Sequence, residues 1–331
     1  MVACTRFDNI GYTMLNDTIQ LQICQTLGKL NIHQVDTFKT VWSGFGALHR
    51  ISFAQNDESV VVKSICKPTE IHHPKGWNSD FASARKLSSY RNEQYFYRHY
   101  SNKLNVVTPQ CLGFLEADNT QYLLLSDLAS AGFEAIAEGD ISAVKGILDW
   151  LACFHAQNIN VSDNNLWQQG GYWHLATRPD ELNAMSHTAL KAAAPELDNQ
   201  LRSCPYQTLI HGDAKIANFM MSQNTVAGYD FQYVGKGIGI QDVMLLLSSA
   251  FTSEQLYAVE HELLNYYQTA FLKYCDVFAK PGGTQILSCW LALYSIAWAD
   301  FVRFLEGWSP KHWKLHEYAW HHANKALANI S

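Results

Sequence analysis

Two rhythms of hydrophobic and polar positions run along this chain. Residues 17 to 30 repeat at helical spacing, whereas residues 38 to 65 alternate as strands do, with Leu48, Ile51 and Phe53 separated by polar positions. Residues 85 to 100 return to the helical period, and 105 to 127 read as two strands split by Glu116-Ala117-Asp118-Asn119. From residue 141 onward the pattern is mainly helical, and Ile141, Val144, Ile147, Leu148, Leu151 and Phe154 mark one apolar face. Within that helical part the short apolar runs at 206–210, 219–221 and 225–229 read as strands. The pattern predicts an α+β chain: a small part over residues 1–127 with an antiparallel sheet plus helix, and a large, mainly helical part over 128–331. The longest apolar stretch, Ile286 to Ala299, ends at Asp300 and Arg303. It is shorter than the roughly 20 residues a bilayer requires and predicts a buried helix. Lys67-Pro68 through Gly76 is a turn-rich insertion, expected to be mobile, and neither repeats nor a low-complexity linker interrupt the pattern.

Composition adds bounds. With 331 residues, 48% hydrophobic and 16% charged, the chain suits one large or two modest domains with substantial cores. A formal net charge of −6 gives no electrostatic reason to expect nucleic acid as a partner, and nothing points to a membrane or a protein partner. Eight cysteines occur with no Cys-x-x-Cys pair, and Met1 to Asp8 lacks the apolar core of a signal peptide, so reduced thiols and a cytoplasmic location are expected.

The chemistry concentrates in Leu209-Ile210-His211-Gly212-Asp213-Ala214-Lys215-Ile216-Ala217-Asn218, followed twelve residues after Asn218 by Asp230-Phe231-Gln232. Phosphoryl transfer needs a carboxylate to orient an acceptor hydroxyl and accept its proton, and oxygen ligands that fix Mg²⁺ against the phosphates. Asp213 suits the first task, Asn218 and Asp230 the second. The order His-x-Asp-x-Lys-x-x-Asn and then Asp-Phe-x reproduces the catalytic and metal-binding loops of the protein-kinase signature, with Gln232 where that signature has Gly. A hydrogen-bonded core histidine would explain His211 alone. The conjunction with Lys215, Asn218 and the second Asp favours a catalytic set of Asp213, Lys215 and His211.

Such a centre needs a nucleotide-holding cluster upstream. Ser59-Val60-Val61-Val62-Lys63 is a β-branched run ending in a lysine that can reach the α- and β-phosphates, and Glu93, thirty residues on in a helical segment, is its natural ion-pair partner. Gly44 and Gly46 lack the third Gly and following helix of a dinucleotide fingerprint. They fit a hairpin folding over phosphates, or a plain β-turn, and Asn56-Asp57-Glu58 forms the next turn. Gln121 to Leu128 is an apolar strand leaving into a polar link. Ser126, Asp127 and Leu128 therefore present either a nucleotide-binding hinge or the exit of a buried strand.

These residues, with Leu151-Ala152-Cys153-Phe154-His155-Ala156 and the Gly-Ile-Gln-Asp segment ending at Asp242, resemble the aminoglycoside phosphotransferase and choline kinase-like superfamily, nearest its ecdysteroid kinase-like branch. The resemblance spans nearly the whole chain. It implies a bilobal protein kinase-like fold, an N-terminal nucleotide-binding lobe, and a C-terminal catalytic and acceptor-binding lobe. It also implies ATP and Mg²⁺ as cofactors, with Asp213 as catalytic base, Asn218 and Asp230 on the metal, and Asp242 bracing the loop. His-Gly-Asp in place of His-Arg-Asp favours a small-molecule hydroxyl acceptor such as an amino alcohol, aminoglycoside, sugar or steroid-like alcohol. Ser126, where that branch commonly has an acid, and Lys215, where it usually has an aromatic, depart from the ecdysteroid pattern. The alternative is an inactive nucleotide-binding pseudokinase scaffold.

Two further patterns carry chemistry. His312 and His316 could share a helix face as metal ligands, but Glu317 and His321 do not complete a His-Glu-x-x-His motif, which favours surface histidines. Trp290, Tyr294 and Trp298 recur at i, i+4, i+8, as core packing or as an aromatic wall for the acceptor, with the loops over 157 to 180 as the other source of specificity.

Overall fold

The computed structural model describes residues 15–41, 45–54, 58–66 and 80–330. The expected Lys67–Gly76 insertion, the Asn56-Asp57 turn, Gly44 and the N-terminal eight residues lie outside them. The chain divides into two compact units, Met1–Tyr90 with Pro109–Gly132, and Arg91–Thr108 with Phe133–Ser331.

In the first unit, α1 (Asp17–Leu27) starts where the Asn16 side chain accepts from Ile19 N at 2.9 Å and stops at Gly28, whose φ of 64° suits the left-handed cap. Next come β1 (Ile32–Val41), β2 (Gly46–Phe53) and β3 (Ser59–Cys66). Helix α2 (Asp80–His99) begins in this unit and ends in the second, and β4 (Cys111–Ala117) and β5 (Thr120–Ser126) return to the first. The strands form an antiparallel sheet in the order β1-β2-β3-β5-β4, with Lys63 paired to Leu48 and Leu123. Alternation puts Ile51, Phe53, Val60 and Val62 on the face that α1 covers with Ile19 and Ile23. Asp118 and Asn119, at φ 49° and 59°, close the β4–β5 hairpin with the polar residues that tolerate this conformation. Gly46 has φ 151°, and a Cβ there would lie 1.8 Å from Ser64 O, so β2 enters the sheet through a position closed to side chains.

The expected strand from residue 105 begins at Cys111. Residues 105–108 belong to the second unit, where the Val107 carbonyl accepts from Trp150 Nε1 (2.9 Å) and Gly228 N (3.1 Å). There β6 (Glu134–Ala135) leads to α3 (Ile141–Gln157), α4 (Pro179–Ala184), α5 (Thr188–Ser203) and β7 (Thr208–Ile210). Then β8 (Phe219–Ser222), β9 (Thr225–Gly228) and β10 (Gly235–Gly237) precede α6 (Gly239–Ala250), α7 (Ser253–Val277), α8 (Gly283–Ala292), α9 (Tyr294–Trp308) and α10 (Glu317–Ile330). Helix α3 packs on α6 and α7, its predicted apolar face buried from Val144 to Phe154 with Ile141 exposed at its first turn, and α9 packs on α5 and α10.

The single helix expected over Ile286–Ala299 is two, bent by 44° between α8 and α9. Leu293 N bonds back to Trp290 O at 3.1 Å, tightening the last turn of α8 and redirecting the chain. Among the described residues no single helix is long and apolar enough to cross a membrane.

The aromatic stripe lies inside this helical unit. Trp290, Tyr294 and Trp298 are 0%, 5% and 0% exposed, which corrects the acceptor-wall expectation in favour of core packing. Trp290 Nε1 donates to Tyr206 O (2.8 Å) while its ring abuts Phe271, and Trp298 stacks on His322. Tyr294 borders a cavity of about 310 Å³ with Glu260 and His322, none of it lined by the His211–Asn218 loop. Trp298→Leu is expected to leave a cavity and lower the stability of this unit by about 3 kcal/mol, read from urea denaturation.

Candidate active site

A buried carboxylate organises the loop after β7. That strand pairs with β10, Ile210 facing Gly235, so the chain leaves the pair at His211. Asp242, in the first turn of α6 and 0% exposed, accepts from His211 N at 2.6 Å on Oδ2 and from Gly212 N at 2.9 Å on Oδ1. His155 Nε2 lies 3.1 Å from Oδ2, and its Nδ1 lies 2.8 Å from the Tyr267 hydroxyl. The helix N-terminus adds a favourable field for the Asp242 charge. Gly212 has φ 77°, and a Cβ there would lie 2.1 Å from Tyr233 O, which explains glycine in a His-Gly-Asp loop.

His211 is fully buried, and burial pushes its pKa down against the pull of Asp242, Asp213 and Asp230. The neutral ring donates from Nε2 to Tyr229 O (3.0 Å) and accepts from Asp213 N on Nδ1 (3.3 Å), which assigns its tautomer from the network. It is thereby a scaffold for the loop, packed 4.7 Å from the Phe231 ring.

Asp213 is 7% exposed. Its Oδ2 accepts from Lys215 Nζ at 2.8 Å and Asn218 Nδ2 at 3.0 Å, while Oδ1 is buried with no hydrogen-bond partner among the described residues. Burial opposes the Lys215 charge, yet the Asp213 and Asp230 carboxylates outweigh it and raise the Lys215 pKa. Asn218 Nδ2 also donates to Asp213 O (2.8 Å), so its amide nitrogen is committed and Oδ1 is the end left for a ligand. Asp230 stands at φ 69°, a conformation uncommon outside glycine, and accepts from Gln232 Nε2 at 2.5 Å. Gln232, the departure from Gly at that position, thus folds back onto its own loop.

The upstream candidates belong to other parts of the chain. Lys63 is 5% exposed within β3, its Nζ 5.5 Å from the Tyr90 ring centre. Glu93 is buried on α2. Asp127 is engaged by Arg50 Nε (2.5 Å), Ser59 Oγ (2.6 Å) and Ala129 N (3.0 Å); burial works against its charge, but these donors prevail and lower its pKa. Ser126 N donates to Gln110 O and its Oγ accepts from Gln110 N, and the carbonyls of Asp127 and Leu128 accept from Ala131 N. These groups therefore tie the strand exit to its own unit. His312 Nδ1 accepts from Lys314 N and His316 Nδ1 from Ala319 N, so both histidines secure backbone at the start of α10. No cluster of three or more His, Cys, Asp or Glu suited to a metal occurs among the described residues.

Other residues at this loop carry no motif signal. Asn92, beside Glu93, donates to Val234 O (2.9 Å) and accepts from Trp167 N (2.8 Å), clamping the Asp230 loop. Ser249 Oγ on α6 accepts from Ile216 N at 2.8 Å. Tyr172 N donates to Gly212 O (3.2 Å), and the Tyr172 ring lies against Tyr233 and Phe304. Burial, then the Asp213 charge, raises the Tyr172 pKa, and its backbone bond to Gly212 ties the 157–180 loops to the His-Gly-Asp turn. Lys314, between α9 and α10, is a second cation in the field of Asp213.

A strand-rich unit, a helical unit and a paired Asp-Lys-Asn loop define the kinase-like class of phosphotransferases. The chain belongs to the phosphotransferase enzyme family, whose model matches residues 51–276. Solved structures share the fold at low identity. A choline kinase from Cryptosporidium parvum Iowa II superposes with a TM-score of 0.58 at 13% identity, covering 95% of each chain. A microcompartment-associated aminopropanol kinase gives 0.53 at 13%, covering 95% of this chain and 94% of that one. The amicoumacin kinase in complex with AMP-PNP, Ca²⁺ and its ligand gives 0.51 at 13%, covering 95% and 93%. No curated protein sequence matches the chain significantly.

Asp242→Asn preserves shape but turns one acceptor oxygen into a donor against backbone N–H groups. It is expected to lower unfolding stability by about 3 kcal/mol and shift the urea midpoint without changing the m-value.

Proposed function

We propose that this chain is an ATP- and Mg²⁺-dependent kinase that transfers the γ-phosphoryl group to a hydroxyl of a small molecule. The observation that carries this reading is the asymmetry of Asp213: Oδ2 is held by Lys215 and Asn218, while Oδ1 is buried and has no hydrogen-bond partner among the described residues. An oriented carboxylate with one open oxygen suits an incoming hydroxyl, whose proton it accepts as the oxygen attacks phosphorus. Lys215 holds the Asp213 carboxylate in place at 2.8 Å, and His211 with Asp242 holds the backbone from which it projects.

Mg²⁺ takes near-octahedral oxygen ligands, commonly one or two from protein carboxyl or carbonyl groups and the rest from phosphates and water. The Asn218 amide oxygen and the Asp230 carboxylate match that donor set. When bound, the metal would neutralise phosphate charge and orient the γ-phosphoryl group. Lys63, Glu93 and Gly46, with the Ser126–Leu128 connector, are the residues proposed for the nucleotide side, Lys63 being a cation buried within β3. The amino-alcohol kinases among the structural neighbours support a small alcohol as acceptor.

Screening pooled metabolite alcohols for ATP consumption, with mass spectrometry of the product, tests the activity directly. Asp213→Asn is expected to reduce turnover about 1,000-fold while ATP affinity stays within about threefold. Full turnover by a correctly folded Asp213→Asn protein would remove Asp213 from the mechanism.

Metal use is tested by heat. ATP should raise the melting temperature more with Mg²⁺ than with EDTA, and Asp230→Ala should erase the difference. Equal stabilisation in EDTA, together with no turnover, would instead indicate a nucleotide-binding scaffold.

A further inference from the structure

Lys314 is a buried cation that the chemistry described above does not use. It lies in the segment between α9 and α10 and is 8% exposed. An ammonium has three donors. Among the described residues the Lys314 Nζ makes one hydrogen bond, to Ser248 Oγ at 3.2 Å, and no ion pair. Two aromatic rings lie near it, with the Phe301 centroid 5.6 Å away and that of Trp313 5.4 Å away.

Its position is tied to the catalytic loop through one helix. Ser248 and Ser249 are neighbours on α6: the first accepts from Lys314, the second from Ile216 N inside the loop. Burial lowers the Lys314 pKa to about 8, opposed by the field of Asp213, with Lys215 lowering it further and the exposed Glu138 opposing. The side chain therefore keeps its charge at neutral pH. Lys215 is the cation paired with Asp213, at 2.8 Å, while Lys314 Nζ uses one of its three donors among the described residues. Leaving a buried charged donor unmade is costly, and such a cost persists where a ligand completes the group. Trp313, whose ring lies against the Lys314 ammonium, is itself 56% exposed and offers an apolar face to solvent.

We infer that Lys314 is a specificity-determining residue that binds an anionic oxygen group of the acceptor, a carboxylate or phosphate, while the hydroxyl of the same molecule meets Asp213. The inference rests on the kinase reading above and narrows its acceptor: hydroxy acids or phosphorylated alcohols over quaternary ammonium and other cationic alcohols, which two lysines would repel. A γ-phosphate of the nucleotide is the other source of anionic oxygen, and the test separates the two.

Size-matched hydroxy acids (glycerate, lactate), a neutral polyol (glycerol) and amino alcohols (ethanolamine, choline) are compared as acceptors with saturating ATP. The expected kcat/KM is at least about tenfold higher for hydroxy acids than for amino alcohols, the size of one desolvated charge contact. Lys314→Met should raise the hydroxy-acid KM about tenfold or more with the ATP KM within about twofold, and Lys314→Arg should restore part of the loss. Preference for the amino alcohols, or a Lys314→Met effect confined to the ATP KM, overturns the inference while leaving the kinase reading intact. If none of these acceptors is phosphorylated, binding decides. Glycerate and inorganic phosphate should each raise the melting temperature of the wild type but not of a folded Lys314→Met protein. No rise in the wild type, or an equal rise in both, overturns the anion site. Loss of the kinase reading appears separately, as turnover that Asp213→Asn does not diminish.

Discussion

The Asp242 carboxylate, sealed from solvent, is the constraint on which the loop depends. A charge in that setting persists when donors surround it, and removal of one partner of a buried ionic group typically costs about 3–5 kcal/mol. Two backbone N–H groups and His155 surround this one. Because the N–H donors belong to His211 and Gly212, satisfying Asp242 also fixes the peptide planes immediately before Asp213. Tyr267 holds the far side of His155, so α3, α6 and α7 converge on one hydrogen-bond network, and Trp290 of α8 packs edge-on against the His155 ring.

Rigidity built this way permits an unmet polar atom nearby. Leaving a buried acceptor unsatisfied costs about 1–3 kcal/mol, and folded proteins keep few of them. Asp213 Oδ1 is one, on a carboxylate whose other oxygen has two donors. The positive φ of Asp230 is a second local cost in the same place, steadied by Gln232 and by the Asn92 clamp on the following carbonyls. Costs of this kind gather at sites where a ligand recovers them.

Aromatic packing holds the two loops together. Phe231 stacks on Phe96 at 4.1 Å and lies beside His211 and Trp150, so the Asp-Phe-Gln segment is anchored by its apolar middle residue while its polar neighbours face their partners. The stripe of Trp290, Tyr294 and Trp298 belongs to the same logic of helix packing. Its helical spacing could not distinguish a core from a cleft, since both place large rings on one face. Burial, which depends on what packs opposite, settled that question.

The chain by itself determined most of what is written in contiguous residues or in short-range period: the strands and helices apart from the break between α8 and α9 and the start of β4, the order of catalytic-type residues from His211 to Asn218, and the Asp-Phe-Gln turn. Local torsion preferences and side-chain alternation act over a few residues, so a single sequence carries them openly. Tertiary structure decided which atoms of those residues stay open and what approaches them from afar. Asp242 and His155 meet across 87 positions and Asn92 clamps a carbonyl 142 positions away. Lys314 comes into the field of Asp213 with no motif around it. Such meetings arise from helix packing, where each partner obeys the hydrophobic pattern of its own segment and neither encodes the other.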